Sequence, residues 1–89
     1  MNISELLEEY LAAHPNLDAH TINNGMCEDF AMFVCDRLPG AELIGGEDIG
    51  DWFLVGHVWI RYNGLHYDSE CTTGVDDPHK LPIFSKHIH

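Results

Sequence analysis

The 89-residue chain predicts a single α+β domain, residues 1–89, with two N-terminal helices packed on a small antiparallel sheet. Three observations carry this. Two segments in the first half place apolar residues at helical spacing, the second half is rich in alternating β-branched and aromatic residues, and Asn63-Gly64 sits between two such runs. Apolar residues make up 45% of the chain, enough for a modest core. A domain of this size has a thin stability margin.

The first helix is predicted from residue 3 to about residue 13, with Ile3, Leu6, Leu7, Tyr10 and Leu11 on one face. Asn2 or Ser4 caps it, and His14-Pro15-Asn16 ends it, because the residue before a proline avoids helical geometry. Residues 16–25 read as a loop. The second helix starts at Met26 or Cys27 and runs to Leu38, where Pro39-Gly40 stops it. Its buried stripe is Phe30, Ala31, Phe33, Val34 and Leu38.

Ala41–Ile44 reads as a short strand and Gly45–Asp51 as an acidic loop. A long strand is expected over Trp52–Tyr62, a type I′ turn at Asn63-Gly64, and a returning strand over Leu65–Glu70. Thr72–Pro78 reads as turn, Leu81–Phe84 as a short strand or extended segment, and the tail after it as frayed.

The formal net charge of −11 opposes nonspecific binding to nucleic acid or to an anionic membrane. Solubility is the plain reading of this charge; a basic protein or peptide partner is the sharper one. Three cysteines make an odd count. There is no CxxC pair, no signal peptide and no apolar run long enough to span a membrane. A cytoplasmic protein with free thiols, without metal or cofactor, is expected.

Cys27 stands out among the thiols. A cysteine opening a helix meets unpaired backbone N–H groups and the positive end of the helix dipole, which favour thiolate. A two-residue turn at Asn63-Gly64 fixes the hairpin register. It puts His57, Trp59, Arg61, His66, Asp68 and Glu70 on one face, and Val58, Ile60, Tyr62, Leu65 and Tyr67 on a core face. His57 and Asp68 are then diagonal neighbours, with Glu70 directly opposite His57 as a competing carboxylate. If the second helix brings its N-terminus to the His57 face, a Cys–His–Asp set is available for nucleophilic catalysis.

Gly25-Met26-Cys27-Glu28-Asp29-Phe30-Ala31, His57-Val58-Trp59-Ile60 and Tyr67-Asp68 together resemble the transglutaminase-like branch of the papain-like cysteine peptidases. The resemblance covers roughly residues 23 to 72 and rests on the order cysteine, histidine, aspartate as much as on any one motif. It implies a papain-like core, with Cys27 as nucleophile, His57 as general base and acid, and Asp68 as orienter. It also implies Trp59 as a wall near the site, Asn24 beside the substrate, and the Cys27 N–H as an oxyanion donor. Thr21, Asn23 and Asn24 are the candidates for a second donor. The implied reaction is acyl transfer by a peptidase, amidase, deamidase or transglutaminase. Two other functions compete with it. One is a catalytically silent module that binds or inhibits a protein partner, for which a phage-encoded inhibitor is one setting. The other is a zinc site drawn from His57, His66, Cys71 and His79, which fits no compact ligand spacing.

Overall fold

A computed structural model describes residues 2–50 and 56–85 of the chain. The first part of the expected Trp52–Tyr62 strand and the tail from Lys86 lie outside the described residues. The fold is α+β, with helices and a four-stranded antiparallel sheet in the order β1-β2-β3-β4.

Helix α1 spans Ile3–Ala13. Asn2 caps it reciprocally: its Oδ1 accepts from the Glu5 N–H at 2.9 Å, and Glu5 Oε1 accepts from the Asn2 N–H at 3.2 Å. The expected loop over residues 16–25 is largely helical instead. Asp18 caps a short helix, α2 (Ala19–Thr21), which continues through a π-helical turn (Ile22–Met26) into α3 (Cys27–Arg37). Polar, glycine-containing residues form this turn because Ile22 and Asn23 are buried within it, so tertiary contacts override weak local propensity.

The strands are β1 (Glu42–Gly45), β2 (Val58–Tyr62), β3 (Leu65–Asp68) and β4 (Cys71–Val75). The β2–β3 hairpin has the register read from the sequence, pairing Ile60 with Tyr67, Arg61 with His66 and Tyr62 with Leu65. Both turn residues have positive φ, 52° at Asn63 and 79° at Gly64, as a type I′ turn requires. The expected acidic loop begins with a 3-10 turn over Gly46–Ile49, where Asp48 Oδ2 accepts from the Gly45 N–H at 2.7 Å.

Three strand-level expectations are corrected. β3 ends at Asp68, not Glu70, because Ser69 and Glu70 turn the chain into β4. Cys71–Val75, expected mostly as turn, is a strand: Thr72, Thr73 and Val75 are β-branched, and pairing with β3 outweighs the glycine among them. Leu81–Phe84 is not extended, since Pro82 opens a single helical turn, α4 (Pro82–Ser85).

The sheet is covered on both faces. On one face Ile60 joins Ile3, Leu6, Tyr10, Ile22, Phe30, Ala31, Val34 and Leu38 in the main core, with Val58, Tyr62 and Tyr67 against it. Phe33, expected to be buried, is half-buried, edge-on to Tyr10 with the Arg37 guanidinium 3.7 Å above its ring. On the other face Trp59, Ile44 and Cys71 pack under Leu81, Ile83 and Phe84. Among the described residues no helix is long and apolar enough to cross a membrane.

Gly74 shows how tightly β4 is seated. Its φ is +85°, and a Cβ there would lie 2.7 Å from the Tyr67 ring. Gly74→Ala is expected to destabilise the fold by about 1–3 kcal/mol in urea titrations, through backbone strain and a clash with a packed ring.

Candidate active site

His57 lies one residue before the first residue of β2, and Asp68 is the last residue of β3. The strand ends bring them together. His57 Nε2–H donates to Asp68 Oδ2 at 3.2 Å, in a pair whose side chains are 3% and 2% exposed. Asp68 Oδ1 accepts from the Glu70 N–H at 2.9 Å, so both carboxylate oxygens are held. The tight turn that supplies this N–H is also what removes Glu70 from the position opposite His57.

The second imidazole nitrogen, Nδ1, is buried and has no partner of good hydrogen-bond geometry. The other group acting on the ring is the Cys27 thiol, which is near enough to shift both ionisations. The route by which Cys27 arrives differs from the one anticipated. Helix α3 packs on the Ile60 face, not on the His57–Trp59 face. Its first residue meets the imidazole at the end of β2, beside the Val58 N–H.

The cause of the thiol's acidity also differs. The sequence attributes it to a free helix N-terminus, but Cys27 follows the π-helical turn directly. The nearby imidazole of His57 is the main influence pulling the Cys27 thiol below its ordinary range; the N–H groups of Val58 and Glu28 add to it, against the cost of burial. Burial by itself lowers the basicity of His57, but Asp68 and then Cys27 more than reverse this and raise the imidazole to about 9. Burial pushes the thiols of Cys35 and Cys71 the other way, upward. Cys27 is half-buried and Cys71 buried.

Trp59 is fully buried. Its ring stacks on His57 at 6.1 Å, Phe84 meets His57 edge-on at 5.3 Å, and its indole N–H donates to His66 Nδ1 at 2.9 Å. It therefore backs the imidazole, and it offers no surface for a substrate to touch. The candidates for a second oxyanion donor are engaged elsewhere. Thr21 Oγ1 donates to Asp18, the Asn23 amide to Glu70, and the Asn24 amide to the His20 carbonyl at 2.7 Å. Asn24 itself is exposed, on the π-helical turn before Cys27.

Sequence reasoning missed three supports. Tyr10 Oη–H donates to Asp29 Oδ2 at 2.7 Å, tying α1 to the first turn of α3, and with burial this raises the tyrosine to about 12. Phe84 closes the imidazole's pocket. Asn23 joins Ser69 and Glu70. No local signal in the sequence marks any of these pairings. Among the described residues no three His, Cys, Asp or Glu side chains gather to hold a metal ion, so His57, His66, Cys71 and His79 form no such site.

A scan against models of known protein families, a search of curated proteins and a search of solved structures each returned no match to this chain.

The pair has a definite effect on pH dependence. The unfolded imidazole titrates near 6.5 and the unfolded thiol near 9.0. Folding raises the imidazole to about 9 and lowers the thiol, so their contributions oppose each other: the imidazole's is lost as pH rises, the thiol's as pH falls. In Cys27→Ala only the imidazole's remains, and against the cost of burial Asp68 is the leading influence that raises it. Urea unfolding of Cys27→Ala should therefore lose more stability with rising pH than Cys27→Ala/Asp68→Asn does.

Proposed function

We propose that this protein is a cysteine-dependent acyl-transfer enzyme in which Cys27 is the nucleophile, His57 the general acid and base, and Asp68 the group that orients the imidazole. One observation carries the reading. Of the three cysteines, Cys27 alone is drawn toward thiolate, and the buried imidazole beside it has its far nitrogen fixed by a carboxylate.

The chemistry follows from that arrangement. The Cys27 thiolate attacks a carbonyl carbon and forms a carbon–sulfur bond. The Nδ1–H of the imidazolium gives its proton to the leaving amine or alcohol as that bond breaks, leaving a thioester and a neutral imidazole. Water or an amine then attacks the thioester while His57 takes its proton, and the departing sulfur leaves as the thiolate of the restored ion pair. Water as acceptor gives a peptidase, amidase or deamidase; an amine gives a transglutaminase. No metal or cofactor is needed for any step. This matches the resemblance to the transglutaminase-like branch of the papain-like superfamily, which is the fold we propose for residues 23 to 72. The net charge of −11 favours a cationic protein or peptide substrate, and free thiols suit a cytoplasmic setting.

An activated ester tests this. Acylation should map to Cys27, should be absent in Cys27→Ala, and should slow by about a hundredfold or more in His57→Ala. A cationic ester should react faster than an anionic one, with the gap narrowing as salt is added. Acylation spread evenly over the three cysteines, or unaffected by His57→Ala, would sink the proposal.

One observation favours a second reading, a silent binding module. His57 and Trp59 have almost no accessible surface, so only Cys27 of the set is open to a ligand. In that case Cys27→Ala retains partner binding, and no acyl-enzyme forms.

A further inference from the structure

Asn23 is 3% exposed and lies on the π-helical turn just before Cys27. Buried amides are held by partners, and here both partners come from the β3–β4 turn. Nδ2–H donates to Glu70 Oε1 at 2.8 Å. Oδ1 lies 3.0 Å from Ser69 Oγ, whose single hydrogen is shared with the Ala19 carbonyl at 2.6 Å. The Glu70 carboxylate needs a donor, which fixes the orientation of the amide. Ser69 is 2% exposed and follows Asp68 directly.

These contacts close a ring. From Cys27 the helical backbone leads back to Asn23. Asn23 grips Ser69 and Glu70, the Glu70 N–H holds Asp68, Asp68 holds His57, and His57 acts on Cys27. Ser69 also reaches the Ala19 carbonyl and Glu70 lies 3.7 Å from His20, but Asn23 is the residue on the π-helical turn itself that joins the helix carrying the thiol to the turn carrying the carboxylate.

We infer that Asn23 is a positioning residue that sets the approach of Cys27 to His57 by clamping the π-helical turn to the Ser69–Glu70 turn. The inference rests on the catalytic reading of Cys27 and His57. It assigns Asn23 no contact with substrate, and it accounts for a buried asparagine in a turn that a loop of polar residues would not need. A π-helical turn suits the task because its wider spacing swings one side chain out of the regular helical path.

The test is iodoacetamide alkylation followed site by site across pH, with Cys35 and Cys71 as internal references. In the wild type, Cys27 should react fastest well below the ordinary thiol range. In Asn23→Ala, checked as folded by circular dichroism, the Cys27 rate in that low-pH range should fall about tenfold and its profile should move toward an ordinary thiol. Glu70→Ala should do the same, while Glu70→Gln, which keeps an acceptor for the amide, should restore the wild-type profile. If Asn23→Ala does not fold, the two Glu70 variants decide. Folded Asn23→Ala or Glu70→Ala with the wild-type profile overturns the inference and leaves the catalytic reading standing. A wild type in which Cys27 has no low-pH advantage overturns both. Loss of fold alone would accelerate all three cysteines together, which separates a structural role from a positioning one.

Discussion

A buried imidazole constrains the rest of this molecule. An ionisable ring with almost no exposure is tolerated only when its polar atoms are partnered or its charge is matched. Asp68 supplies the match at Nε2, and it can do so only because its second oxygen is satisfied by the Glu70 N–H. That N–H is available only if the chain turns immediately after Asp68. The turn in turn directs Cys71–Val75 back along β3 as the fourth strand. Much of the second half of the fold can thus be traced to one hydrogen-bonded pair. The remaining nitrogen, Nδ1, is left without a fixed partner, so the thiol at the start of α3 is what the ring has to work with.

The parts that were legible in the sequence are those governed by neighbouring residues. The first helix ends where Pro15 dictates and is capped by Asn2, one of the two residues the sequence offered. The hairpin register follows from Asn63-Gly64. The order of Cys27, His57 and Asp68, and the alternation that separates Ile60 from Trp59, were equally readable. The illegible parts depend on distant contacts. Asn23-Asn24-Gly25 looks like loop because nothing nearby says that Asn23 will be buried against Ser69 and Glu70. Thr72-Thr73-Gly74 looks like turn because its pairing with β3 is decided by where Asp68 stops. The thiol's acidity was anticipated in direction but traced to the helix end, whereas the imidazole is the larger influence. Trp59 was placed at the substrate wall by the family resemblance, and the C-terminal turn that covers its face is signalled only by Leu81 and Phe84.

The two cores divide the labour. The larger one, between the helices and the Ile60 face, holds α3 at a fixed height above the sheet. The smaller one, built from Trp59, Leu81 and Phe84, packs on the opposite face and sets aromatic rings against the imidazole. On the proposed reading Cys27 is the exposed member of the set, so specificity would arise from surface around the start of α3, in a molecule whose net charge is strongly negative.

The origin of the thiol's acidity has a consequence for biosynthesis. If a helix end were responsible, Cys27 would become reactive as soon as α3 formed. Because His57 is the larger influence and is translated after Cys27, a ribosome-bound chain carries a thiol without that influence until the β2–β3 hairpin has emerged and docked. In the enzyme proposed above, activation would thereby wait for the hairpin, and shorter chains would be spared a nucleophile they have no means to direct.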